Sequence, residues 1–150
     1  MSEFIKLYGG TVTNGGTDGV ALSENMTQTN PLSMSLNAKV AEAKVAKLAL
    51  RCEEGFQTSG DVVVSANRYD GSNYVTSGGN VDKFRFAVDE GFDSDAKALA
   101  NANWVSSLTI SDVIGATNHT FWVKVMSDTT QTPQKDTSIS IHITGVVEAV

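Results

Sequence analysis

The chain has 150 residues, of which 41% are hydrophobic and 19% charged, and its formal net charge at pH 7 is −6. This balance excludes a disordered chain, and no apolar run approaches the ~18 residues that a transmembrane helix needs, so we expect no membrane partner. The 11 basic residues are scattered rather than clustered, which argues against nucleic acid as a partner. A chain of this length is expected to fold as one domain, residues 1–150.

The N-terminal residues, MSEFIKLYGG, have neither the basic start nor the apolar stretch of a secretory signal, so we expect synthesis in a cytoplasm. A loosely alternating run is followed by two turn signals, Asn14-Gly15 and Asp18-Gly19. Residues 1–21 are therefore predicted to be either an extended arm that joins a neighbour's sheet or an edge strand of the chain's own sheet. The apolar residues 145–150 are a second candidate anchor.

One segment in the middle of the chain is ambiguous. Residues 32–38 alternate between apolar and polar side chains, as a strand does. The following residues include good helix formers, and Asn37 could cap a helix. Strand spacing, however, places Leu48, Leu50 and Cys52 on one face. We therefore predict a strand from about Val45, with a short preceding helix as the alternative, and Cys52 as a small buried hydrophobe.

Further alternating runs predict strands within residues 61–71, 81–91 and 104–111, with one helical turn between residues 93 and 104. The last two runs, TFWVKVM and TSISIHI, surround a polar segment and predict a C-terminal hairpin. Their alternation places Trp122 outward. The residues predicted to face inward are Phe84, Phe86, Val88, Leu108, Ile110, Phe121, Val123, Val125, Ile139, Ile141 and Ile143.

No set of residues forms a recognisable catalytic motif, so we expect no enzymatic activity and no cofactor. His119 and His142 come with no nucleophile or metal motif and are predicted to be surface residues. An acidic run offers oxygen ligands of the kind that calcium prefers, but its spacing favours a solvated loop. The acidic residues of this run are Asp89, Glu90, Asp93 and Asp95.

These patterns together predict an all-β fold, an antiparallel β-sandwich of about seven or eight strands. A short SLTI strand, a corner, a long strand and a final hairpin partner resemble the end of immunoglobulin-like domains, although a single cysteine excludes their inter-sheet disulfide. The outward Trp122 could serve as a subunit interface or as a platform on which a sugar stacks.

Three stretches, LYGGTVTNGGTDG, KLALRCEEGFQTSGDVVVSA and TISDVIGATNHTFWVKVMSDTTQTPQKDTSISIHITG, resemble small immunoglobulin-like accessory proteins of tailed-phage and prophage virions. The resemblance implies a capsid decoration protein on the exterior of the virion, bound to the major capsid protein and to other copies of itself. A carbohydrate- or host-surface-binding module of a tail or adhesin is the alternative, and a tail or connector protein is a variant of the first. The predicted interface residues are Phe4, Ile5, Leu7, Tyr8 and Trp122.

Overall fold

The computed structural model describes residues 4–22, 42–69, 71–75, 78–127 and 139–150, with the backbone alone at residues 69, 74, 79, 80, 139 and 140. Strands account for most of these residues. In chain order the strands are β1 (Ile5–Gly9), β2 (Val20–Ala21), β3 (Ala43–Cys52), β4 (Phe56–Tyr69), β5 (Tyr74–Val75), β6 (Phe84–Val88), β7 (Ser107–Ile110), β8 (His119–Met126) and β9 (Ile139–Ala149). A 3₁₀ helix spans Gly79–Lys83, and one α-helix, α1, spans Asp95–Asn101.

The strands form two antiparallel sheets. One is five-stranded, in the order β2-β1-β3-β8-β6. In the other, β4 lies at the centre, with β9 along one side and β7 and β5 along the other. This arrangement confirms the predicted all-β sandwich. The described residues contain more strands than predicted because β2 and β5, of two residues each, are too short to give an alternating pattern.

The predicted C-terminal hairpin is wrong. Strand β8 pairs with β3 and β6, whereas β9 pairs with β4 in the opposite sheet. The chain therefore crosses between sheets after β8, and the immunoglobulin-like pairing of the last two strands is not present. The alternating pattern of each strand identifies its buried face, but it carries no information about which strand lies beside it.

The main hydrophobic core lies between the two sheets and consists mostly of alternate residues of the long strands. Most of the predicted inward residues lie there, and Cys52 is buried as predicted. Val88 is an exception, because it is exposed while its neighbour Ala87 is buried. The largest fully buried side chains of this core are Phe86, Phe121, Ile5, Leu7, Leu48, Leu50, Ile114 and Ile143.

A second, smaller core lies on the outer face of the five-stranded sheet, under α1. The residue before the helix, Ser94, is its N-cap, and its hydroxyl accepts a hydrogen bond of 3.2 Å from the backbone N–H of Lys97. Ala98 of the helix packs with Ala87 and Trp122 of the sheet. The predicted helical turn is thus a helix of seven residues, and it packs against the outward-facing Trp122.

Two predictions lie outside the described residues. The strand expected at 32–38 and the helix that could precede β3 both fall within 23–41. Strand β3 itself begins at Ala43, two residues before the predicted start at Val45. The strand continues without interruption to Cys52, which confirms the strand interpretation for the second half of the ambiguous segment.

Candidate interaction surface

The N-terminal residues predicted to form an interface lie largely inside the fold. Ile5 and Leu7 are buried in the main core, and β1 is hydrogen-bonded between β2 and β3. Tyr8 is half-buried, with the guanidinium carbon of Arg51 3.6 Å from its ring centroid. Residues 5–9 are therefore a strand of the chain's own sheet and not a free arm. Sequence alternation could not distinguish these cases, because a strand added to a neighbour shows the same period.

Trp122 faces the outer side of its sheet, as predicted, but only 2% of its surface is exposed. Phe92 meets its ring edge-on at 6.4 Å, and its indole N–H donates a hydrogen bond of 3.2 Å to the carboxylate of Asp89. The indole is therefore unavailable as a sugar platform or as an interface residue. The small side chains of Ala87 and Ala98 allow the helix to approach the indole closely.

Asp89 is the centre of a polar cluster on the same outer face. Its side chain, 6% exposed, accepts hydrogen bonds from the Thr120 hydroxyl at 2.6 Å and the Gly91 backbone N–H at 2.9 Å. The Lys47 ammonium lies 3.4 Å away. Burial raises the pKa of Asp89, but these hydrogen bonds, that of Trp122 and the Lys47 charge outweigh burial and lower it below its usual value. The cluster holds residues 89–91 against β8.

A second polar cluster fixes the loop of residues 10–19. The amide nitrogen of the buried Asn118 donates to the backbone carbonyls of Thr13 and Asp18 at 3.2 and 3.1 Å, and to the Asp18 carboxylate at 2.9 Å. Arg51 donates to the same Asp18 carbonyl and to the Asn118 amide oxygen, each at 2.8 Å. Hydrogen bonds from the backbone N–H and hydroxyl of Thr13 lower the pKa of Asp18.

Both clusters use their polar groups to hold loops in place. The loop of residues 10–19 is tied to Arg51 of β3, and residues 92–104 pack around Trp122 on the outer face of the five-stranded sheet. The acidic run is divided: the side chain of Asp89 is enclosed by its partners, while Asp93 forms an exposed ion pair with Lys97 at 3.0 Å. Among the residues that the structure describes, no group of three or more His, Cys, Asp or Glu side chains could hold a metal ion.

The two histidines lie apart. His119 borders a shallow depression of about 290 Å³, with Asp112 3.4 Å from its ring nitrogen Nε2. Burial lowers the pKa of His119, and the opposing effect of Asp112 and Asp89 does not offset it. His142 lies on the outer face of the other sheet, opposite Ser65, and burial lowers its pKa as well. The single cysteine, Cys52, lies elsewhere, and its thiol donates a hydrogen bond of 3.3 Å to the backbone carbonyl of Ile114. The contacts of His119 and Cys52 are those of structural residues.

One end of the sandwich carries several partly or fully exposed apolar residues, and we call it the basal surface. It consists of Phe4, Phe56, Val113, Ala149 and Val150. The Phe4 and Phe56 rings are stacked, with centroids 4.2 Å apart, and both remain partly exposed. Val150 is 79% exposed and Val113 64%. Sequence reasoning identified Phe4 and the C-terminal segment separately, but it gave no indication that they meet.

Backbone hydrogen bonds hold the segments of the basal surface together. The carbonyl of Phe4 accepts from Glu53 N–H at 2.9 Å, and that of Gly55 accepts from Val150 N–H at 2.9 Å. The corner that carries Val113 docks through Ile114, whose carbonyl accepts from Thr58 N–H at 2.9 Å. Because the contacts are between backbone groups, the surface is fixed by the fold itself.

Comparison with known proteins places no further constraint on the site. No protein-family model, no curated protein and no solved structure matches the chain. Within the described ranges, no helix is long and apolar enough to cross a membrane.

Proposed function

We propose that this chain is a structural protein of a tailed-phage virion, which binds the outside of the assembled capsid and stabilises it. The observation that carries the proposal is the exposed basal surface on a sandwich whose described polar clusters are used to hold its own loops. Such a molecule offers exposed apolar residues at one end for contact with a partner. The three sequence stretches that resemble virion accessory proteins supply the phage context.

Decoration of a capsid requires that the protein bind the shell, and it requires no catalysis. A protein that binds the assembled shell and not its free subunits shifts the assembly equilibrium toward the shell by mass action. Rigid loops favour this role, because a surface that is already ordered loses little conformational entropy on docking. The clusters around Asp89 and Asn118 supply that order to two loops beside the five-stranded sheet.

The alternative, a sugar-binding module, loses its strongest candidate residue. A stacking platform needs an exposed aromatic face, and Trp122 is buried under α1. Trp104 is half-buried, with the Lys124 ammonium 5.0 Å from its ring centroid. No other observation favours a sugar site, so we propose capsid binding in preference to it.

The proposal is tested with particles produced from the phage genome that encodes this chain, after deletion of its gene. Purified protein is added to the particles, which are then sedimented. We expect saturable binding at a fixed ratio to the major capsid protein, and shells that release their DNA at a higher temperature. Absence of binding to these particles, or binding to tails alone, would contradict capsid decoration.

A further inference from the structure

We propose that Arg85, Lys124 and the indole of Trp104 form a binding site for a carboxylate, which an Asp or Glu side chain of a different protein supplies. We call these three residues the cationic site. The inference goes beyond the proposed function and does not depend on it, because the site is defined by its charges and not by the identity of the partner.

The two cations of this site face each other across neighbouring strands. Arg85 of β6 is the register partner of Lys124 of β8. Lys124 lies two residues after Trp122, so its side chain is on the same outer side of the five-stranded sheet. Side chains at directly opposite positions have Cβ atoms about 4.5–5.5 Å apart, and like charges there destabilise a sheet. An anion bound between the two cations would remove that repulsion.

Lys124 is held by an aromatic ring and not by a carboxylate. Its ammonium nitrogen lies 5.0 Å from the ring centroid of Trp104. The indole is itself fixed, because its N–H donates a hydrogen bond of 3.3 Å to the backbone carbonyl of Leu99 in α1. Burial, and then the charge of Arg85, lower the pKa of Lys124. Both effects arise because this ammonium is partly removed from water beside another cation.

Arg85 keeps one edge of its guanidinium group available. Its Nη1 donates to the backbone carbonyls of Asp82 and Phe84, at 2.9 and 2.7 Å. Among the described residues, no hydrogen bond uses its Nε or Nη2. Paired N–H groups of this kind bind both oxygens of a carboxylate. The guanidinium is therefore fixed in place by the backbone, with donors left for a ligand.

The described part of the chain supplies no carboxylate to this pair of cations. None of its ion pairs includes Arg85 or Lys124. Lys47, the next cation on the same face, instead has the carboxylate of Asp89 3.4 Å away. That carboxylate also accepts three hydrogen bonds, so it is fully engaged where it lies. Within the described ranges, the charge of the cationic site is therefore unbalanced.

A second pair of facing cations on the same sheet differs in this respect. Lys6 and Arg51 are register partners on β1 and β3. Arg51 donates a hydrogen bond of 2.8 Å to the backbone carbonyl of Asp18. Hydrogen bonds from Thr13, and to a smaller extent the charge of Arg51, lower the pKa of Asp18. This pair of cations thus has a carboxylate of the chain nearby, and it serves as a comparison for the cationic site.

The surrounding charges favour a single carboxylate over a polyanion. The chain has a net charge of −6, and four carboxylates lie between residues 89 and 95, before and at the start of α1. The hydrogen bond of Trp104 joins the cationic site to this helix. A nucleic acid or an anionic membrane would bring further negative charges against these residues. Charge complementarity therefore favours a partner that places one acidic side chain on the two cations.

The first test is a titration of the peptide acetyl-Gly-Glu-Gly-amide into ¹⁵N-labelled protein. The peptide acetyl-Gly-Gln-Gly-amide, which has the same shape without the charge, is the matched control. We expect saturable chemical-shift changes at the backbone amides of Arg85 and Lys124 and at the indole N–H of Trp104, and none of these with the control. No response at these groups, equal responses to both peptides, or changes centred on Lys6 and Arg51 would overturn the inference.

The second test compares variants in the same titration. Lys124→Gln removes one cation of the site, Lys124→Arg keeps it, and Lys6→Gln removes a cation from the other facing pair. The loss of one charged hydrogen bond should weaken binding of the glutamate peptide about tenfold in Lys124→Gln. The other two variants should bind as wild type does. Equal affinity of Lys124→Gln and Lys124→Arg, or an equal loss in Lys6→Gln, would overturn the inference.

The third test separates the sources of the anion. Glucuronate and inorganic phosphate are titrated in the same way, and sedimentation velocity is recorded without ligand. We expect both to bind more weakly than the glutamate peptide, and the protein to be a monomer. Trp104 is only partly exposed, which leaves little aromatic face for a sugar ring, and phosphate has no apolar part to contact the indole.

Tighter binding of glucuronate or phosphate than of the glutamate peptide would overturn the assignment to a protein side chain. A dimer that Lys124→Gln dissociates would show that a second copy of this chain occupies the site, and it would overturn the assignment to a different protein. These experiments use no capsid particles, so a negative result leaves the proposed function intact.

Discussion

Replacement of Asp89 is the perturbation that tests the outer polar cluster. Asp89→Ala removes the acceptor of three hydrogen bonds, from Thr120, Trp122 and Gly91, and the ionic partner of Lys47. An unsatisfied buried donor costs about 1–3 kcal/mol, and the Thr120 hydroxyl can rotate toward another acceptor, so we expect a total loss of about 3 kcal/mol. Asp89→Asn keeps an acceptor oxygen and loses the charge, for an expected loss of about 1–2 kcal/mol.

The assay is urea unfolding at pH 7, with Asp93→Asn as control. Asp93 is 71% exposed and pairs with Lys97 one helical turn away, so its replacement should change the free energy of unfolding by less than about 0.5 kcal/mol. Equal effects of the Asn substitutions at Asp89 and Asp93 would refute the account of the cluster.

The effect of Asp89→Asn on the free energy of unfolding should depend on pH. The pKa of Asp89 in the folded protein is lowered from its usual value of 3.8. The stabilisation that the ionised carboxylate provides is therefore complete above about pH 5 and is lost as the pH falls through the lowered pKa. We expect the difference in stability between wild type and Asp89→Asn to shrink steadily from about pH 4 downward. A difference that stays constant down to about pH 2 would show that the charge contributes nothing.

Three further predictions concern other buried groups. Trp122→Ala should lower the free energy of unfolding by about 3–5 kcal/mol, measured by urea unfolding, with a smaller loss for Trp122→Phe. Asn118→Ala should accelerate amide hydrogen exchange in residues 13–18, measured by mass spectrometry, and unchanged exchange would contradict its role. Burial raises the pKa of the Cys52 thiol, so a disulfide reagent should label it only after unfolding, and rapid labelling of the folded protein would contradict its placement.

The sequence predicts the buried face of each long strand because that property is local. Leu48, Leu50 and Cys52 share a face whatever lies opposite, since successive side chains of a strand alternate between its two sides. The same reasoning correctly places Ile141 and Ile143 inward. Fold class follows from several such strands with turns between them.

Strand partners and covered outer faces could not be predicted in the same way. An alternating pattern describes β8 equally well beside β9 or beside β3, and the observed pairing with β3 and β6 depends on contacts far apart in sequence. Trp122 shows the same limit, because its burial depends on a helix that begins well before it in the chain and packs across its sheet. The basal surface combines residues from both ends and the middle of the chain, and no local pattern relates them.

The most direct test of the proposed capsid decoration is cryo-electron microscopy of particles purified from the source of this chain. The account predicts sandwich-shaped density repeated on the outside of the shell, with the basal surface, including Val150, turned toward the capsid. Density confined to the tail, or shells without any such density, would contradict it.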